Sequence, residues 1–172
     1  LKCIRATIAE FEQTGPKTAI TAALCEWHEI KSVQGLIPVI YNPEFTRDKF
    51  AILAARLDKE IGTTDPVYQQ ICREAGEAVG NLTLQAAEKS GLDASPLPLF
   101  FSGGVLQFNR EAMKSFEATV RSKHKVMLSQ PRLPTVLGAA MLALREAEVK
   151  ITDSLVSQLD TTYKNVNELL SN

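Results

Sequence analysis

The chain has 172 residues, 45% of them hydrophobic and 23% charged, with a formal net charge of −1. That is enough apolar chain to bury a core of one domain or one large lobe, and a charge this close to zero gives no sign of nucleic-acid or acidic-membrane partners. No apolar run approaches the roughly 20 residues that span a bilayer.

No leader pattern is visible, and because the chain starts at Leu1 rather than Met, a longer native protein is expected. Cys3, Cys25 and Cys72 are odd in number and far apart. They read as reduced, buried thiols of a cytoplasmic protein rather than a disulfide framework or a metal site.

Residues 1–12 place Leu1, Ile4, Ile8 and Phe11 on one helical face, with Gly15 and Pro16 as the stop. A second helix is expected over residues 17–28, with Ile20, Leu24 and Trp27 inward and Lys17 or Thr18 near the cap. Residues 29–43 carry Gly35, Pro38 and Pro43 and read as a short strand or an irregular loop. A third helix over residues 45–61 turns Phe50, Leu53, Ala54 and Leu57 inward and ends at Gly62, a residue suited to a left-handed C-terminal position.

Asp65 and Pro66 then form a start signal, an N-cap followed by proline at the first helical position. The helix they open is the longest in the chain and is closed by Gly91. Val67, Ile71, Ala75, Ala78, Val79, Leu82 and Ala86 mark its expected buried side. Gly76 and Gly80 inside it each cost about 1 kcal/mol against alanine, which implies close packing, most simply on a neighbouring sheet.

Residues 97–108, LPLFFSGGVLQF, organise the second half of the chain. A short apolar run bounded by proline and glycine reads as a buried strand. Ser102–Gly103–Gly104 permits a sharp turn at its carboxyl end, the edge where α/β sheets bind ligands. Then come an amphipathic helix over 111–123 (Met113, Phe116 and Val120 inward), a strand at 125–128 and a proline turn. A small-residue helix over 135–148 is next, its apolar start implying burial on several sides. A polar helical tail spans 150–172, with Ile151, Leu155, Leu159, Tyr163, Val166, Leu169 and Leu170 as its apolar positions. The fold class is therefore α/β and helix-rich, with a short sheet.

Two motifs, Leu99-Phe100-Phe101-Ser102-Gly103-Gly104-Val105 and Pro134-Thr135-Val136-Leu137-Gly138-Ala139-Ala140-Met141-Leu142-Ala143, stand one helix and one strand apart. In this order the chain resembles the C-terminal lobe of N-acetylglucosamine kinases. More broadly it is similar to the BadF/BadG/BcrA/BcrD-type ATPases of the actin/Hsp70/sugar-kinase superfamily. The resemblance covers residues 1–149, with a helical insertion over about 1–65, and leaves 150–172 as a tail.

It implies a ribonuclease H-like (actin-like ATPase) lobe that uses ATP and Mg²⁺ to phosphorylate an amino sugar. Ser102, Gly103, Gly104 and Val105 would face the nucleotide, Val105 and the Ile61 region would flank adenine, and Gly138 and Ala139 would pack at the hinge between lobes. The phosphate loops and the catalytic aspartate of such kinases have no counterpart in this sequence. No catalytic or metal-ligating residue is assigned, and the chain is expected to be incomplete as a kinase.

Other residues suggest simpler roles. His28 and His124 are isolated from any metal-ligand cluster. Asp58, Lys59, Glu60 and Asp65 read as a solvated helix end, and Arg110, Lys114, Arg121, Lys123 and Lys125 as a charged face. Ser102 has no base in sequence reach. Two alternatives stay open. One is an activator ATPase of the same superfamily, for which the cysteines offer no iron–sulfur pattern. The other is a non-catalytic helical interaction module docking, in a homodimer or on another partner, through its tail.

Overall fold

The computed structural model describes residues 1–92 and 94–171, with the side chains of Arg47, Leu170 and Ser171 outside the description. The apolar role expected of Leu170 therefore lies outside the described residues. In chain order the elements are α1 (Lys2–Phe11), α2 (Ala19–Trp27), a 3₁₀ turn (Val33–Gly35), α3 (Leu36–Ile40), α4 (Arg47–Ile61) and α5 (Pro66–Ser90). Next come β1 (Leu97–Phe100), α6 (Gly104–Phe108), α7 (Arg110–Arg121), β2 (Val126–Ser129), α8 (Thr135–Glu146) and α9 (Asp153–Ser171). The α/β, helix-rich class holds.

Helix α5 is the spine, and its start is built as its sequence predicts. Asp65 caps it, its Oδ1 accepting from the Tyr68 N–H at 2.7 Å. Gly91 closes it with φ of 65°, a left-handed conformation that glycine adopts without strain. Its buried ridge is Tyr68, Cys72, Gly76, Gly80 and Ala87. That ridge is rotated by about one residue from the expected one, and Leu82 is 65% exposed.

The glycines explain the rotation. A Cβ at Gly76 would lie 2.0 Å from the Ala112 carbonyl oxygen, and one at Gly80 would lie 2.7 Å from the Thr119 Cβ. The close partner is α7 and not the sheet. Absent side chains let two helix backbones approach, and the ridge follows that contact rather than the apolar count.

Two buried clusters flank this seam. Ile4, Ile20, Ala23, Leu24, Leu36, Leu57 and Ile61 close on Tyr68 and Cys72 of α5. Ala87, Leu97, Leu106, Phe116, Val120 and Val126 form the second cluster beneath the sheet. Strands β1 and β2 pair in parallel, from Leu97 opposite Val126 to Phe100 opposite Ser129.

Several expectations need correction. Residues 33–40 are helical rather than a strand or loop, because Leu36 is drawn into the first cluster. On α1 the buried residues are Ile4 and Thr7, whereas Leu1, Ile8 and Phe11 are exposed; the chain turns out of the helix at Gln13 (φ 58°), before Gly15. Ala54 on α4 is exposed, and Gly62 keeps right-handed dihedrals because the chain continues into a turn that bonds back to the Ile61 carbonyl. Helix α8 buries only Leu137 among its residues, although burial on several sides was expected.

Candidate functional site

The carboxyl edge of the β1–β2 pair gathers the expected site residues. The Phe101 N–H donates to the Ser129 carbonyl at 3.1 Å, one residue past the last paired residue of β1. Gly103 takes φ 99° and ψ 149°, a region open essentially to glycine alone. Gly104 then starts α6, which is hung between Gly103 and Asn109 by Gln107 N–H to Gly103 O and Asn109 N–H to Val105 O, both 3.1 Å. Space over the turn is open. Nothing lies within 4 Å of a Cβ built on Gly103, and a Cβ on Gly104 would meet only the Phe108 ring at 3.8 Å.

Across the edge, the Ser102 and Thr135 hydroxyls are 3.3 Å apart and share one hydrogen bond. This contact joins the exit of β1 to the start of α8 and brings the two sequence motifs together. The partner of Ser102 is thus a hydroxyl and not a base, which gives it no activation as a nucleophile. Val105 is exposed on α6, Ala139 is exposed on α8, and a Cβ on Gly138 would meet nothing within 4 Å. Ile61 instead turns into the first cluster, and the α4 residue that reaches the segment after α6 is Asp58.

Asp58 and Asn109 are the residues that sequence reasoning missed. The Asn109 side chain caps α7, its Oδ1 accepting from the Ala112 N–H at 2.8 Å. Its Nδ2 donates to Asp58 Oδ1 on α4 and approaches Cys72 Sγ on α5 at 3.2 Å. An asparagine before an amphipathic run is a readable cap signal, whereas a bond spanning 51 residues leaves no local signature.

Asp65, read as part of a solvated helix end, is 5% exposed. Its Oδ2 accepts from the Thr18 hydroxyl at 3.0 Å and the Ala19 N–H at 2.7 Å. One carboxylate therefore serves the N-termini of both α2 and α5, where the helix dipoles favour negative charge. Glu60 accepts from Trp27 Nε1 and Arg56 Nε, closing a surface cluster in which the guanidinium lies 4.1 Å above the indole. Burial pushes the Cys72 and Cys3 thiols above their ordinary range, which disfavours the thiolate needed for metal binding or attack.

The edge has open space over it. Its glycine turn leaves backbone accessible where a side chain would otherwise stand. Among the described residues no three His, Cys, Asp or Glu side chains come together. Glu111, the acidic residue of the first turn of α7, is held below the usual carboxylate range by its hydrogen bond from Lys114 and is also paired with Arg73.

No family model matches the chain, and no solved structure does. Two curated proteins do. One is N-acetyl-D-glucosamine kinase of Dictyostelium discoideum, 28% identical over 150 residues, covering 82% of this chain and 45% of that protein. The other is N-acetylmuramic acid/N-acetylglucosamine kinase of Clostridium acetobutylicum, 22% identical over 149 residues, covering 86% of this chain and 49% of that protein. The chain spans about half the length of the curated relatives it matches. Over most of its own length it is similar to N-acetylglucosamine kinases, the resemblance that its SGGV and LGAA motifs carry.

Proposed function

We propose that this chain is the nucleoside-facing lobe of an ATP-dependent amino-sugar kinase of the actin-like ATPase type, working in the cytoplasm. The complete enzyme would transfer the γ-phosphate of ATP to an amino-sugar hydroxyl. The observation that carries this reading is the Ser102–Gly103–Gly104 turn at the carboxyl edge of a parallel strand pair, tied to α8 by Thr135, in a chain similar to two such kinases. Phosphoryl transfer is chiefly positioning and electrostatics. In that division of labour this lobe holds the nucleoside, with Val105 beside the base and backbone of 102–104 beside the ribose and α-phosphate. Gly138 and Ala139 offer a small-residue surface for the hinge. Mg²⁺, the phosphate cradle and the catalytic carboxylate are assigned to the other part of the enzyme.

The test is calorimetric titration of the chain with Mg²⁺ and ADP, beside Gly104→Val. The open space over Gly104 lets valine fold there while covering the nucleoside surface. Binding by the parent chain that the variant loses, with equal helicity and thermal midpoint, supports the reading. Undiminished binding by the variant, or no heat at millimolar ADP, overturns it.

A further inference from the structure

Helix α6 has five residues, too few for independent stability in water. What holds it lies at its ends. Leu106 anchors its middle in the second cluster, and Asn109 closes its carboxyl end. Asn109 is fixed on every side. Its N–H bonds back to Val105, its Oδ1 receives the Ala112 N–H, and the two hydrogens of Nδ2 face Asp58 Oδ1 and Cys72 Sγ. The Cys72 contact reaches α5 in the first cluster, and the Asp58 bond reaches α4. The latter crosses from the end of the diglycine segment to the last turns of α4, and a carboxylate acceptor makes it stronger than a neutral pair. Asp58 itself is anchored, because the neighbouring Leu57 is fully buried in the first cluster.

We propose that the Asp58–Asn109 hydrogen bond is a strap through which the helices of residues 1–65 position the Gly103–Gly104 loop for its ligand. Asn109 is then a positioning residue. It touches no nucleotide itself and acts through the four residues between it and the turn, Val105 to Phe108. This inference rests on the nucleoside-binding reading of the loop. Its physical half, that the strap orders the loop, stands on geometry alone.

The experiment uses the full chain and a charge swap. Asn109→Asp keeps an oxygen for the Ala112 N–H but removes the donor and sets two carboxylates together. Adding Asp58→Asn restores one donor and one acceptor, reversed. Two quantities are read: hydrogen exchange of the amides of 104–109 against those of α2, and ADP affinity by calorimetry. The single variant is expected to speed loop exchange about ten-fold without matching change in α2, and to weaken ADP about ten-fold. The double variant is expected to recover most of both.

A single variant whose loop exchanges normally overturns the strap. So does a double variant no better than the single, or exchange that rises equally throughout the chain. If Asn109→Asp does not fold, Asn109→Ser, which keeps a capping oxygen and is too short to reach Asp58, must show the same local loosening. ADP heat absent from the unsubstituted chain overturns the kinase reading alone, and the exchange result then decides the strap.

Discussion

The two clusters on either side of the α5–α7 seam are built differently. The first draws on α1, α2, α3, α4 and the start of α5. Its polar groups are internal ties, Asp65 serving two helix starts and Thr7 bonding back to the Cys3 carbonyl at 3.2 Å. The second covers one face of the sheet and stops. On the other face Phe100 is 71% and Met127 52% exposed, and Val136 and Leu142 of α8 are more than half exposed. Parallel sheets are ordinarily covered on both sides. Both regions leave apolar side chains exposed, Ile37 and Ile52 beside the first cluster among them, and what is peculiar to the second is open backbone along the edge where its motifs meet.

The seam itself gives the largest expected effect. Gly76→Val forces a side chain where even a Cβ would meet the Ala112 oxygen at 2.0 Å. Backbone cannot step aside as a flexible side chain does, so a loss of about 3 kcal/mol or more is expected. Urea unfolding measures it, and a loss under 1 kcal/mol would mean that α5 and α7 are not in contact at this point. Asp65→Ala comes next. It strips acceptors from the Ala19 and Tyr68 N–H groups and the Thr18 hydroxyl together, at about 2 kcal/mol. Asp65→Asn, which keeps one acceptor oxygen, should lose less. Equal losses would show that charge at the two helix starts, rather than acceptor geometry, is what matters.

These two sites also mark what the sequence discloses. Asp65 before Pro66, Gly91 at the end of α5 and the strand–diglycine–helix order are local signals, and all are found where their patterns place them. The bare side of α8 is different. Its apolar run predicts burial, yet a run states only that some partner is wanted and not whether this chain supplies it. The α5 face failed for a related reason. Periodicity ranked Leu82 above two glycines, whereas in this packing the absence of a side chain outweighs the presence of one. The second function of Asp65 and the reach of Asp58 depend on partners 46 to 51 residues distant, which no window on the sequence displays.

A smaller effect belongs to the first cluster alone and depends on pH. Burial raises the Cys72 thiol from its ordinary 9.0. As pH passes that value the unfolded chain loses its thiol proton while the folded chain keeps it. The unfolded state then binds fewer protons, so stability falls with rising pH, by up to about 1.4 kcal/mol per unit for one group, until the folded thiol also ionises. Below pH 9 the same group contributes no slope. Tyr68, raised chiefly by the same burial, adds its own fall at higher pH. Urea midpoints from pH 7 to 10 should therefore decline above 9, and less steeply in Cys72→Ala, where the buried Cys3 thiol still gives a fall of the same sign. A decline of equal slope in that variant would assign it to other groups.

The smallest effect, at Phe100, is the sharpest test of one-sidedness, since it is set against a buried residue of the same strand. Leu97 is 2% exposed beneath the sheet and Phe100 lies bare at its other end. Leu97→Ala should cost about 3 kcal/mol, the usual loss for a buried leucine. Phe100→Ser should cost within about 0.5 kcal/mol, because Phe100 is 71% exposed. The larger residue is then the cheaper one to remove, an order that hydrophobicity alone would reverse. If Phe100→Ser costs as much as Leu97→Ala, the exposed face is covered in solution, by a second copy or by α8 folding back. Sedimentation of the parent chain then distinguishes these, since only a second copy doubles the mass.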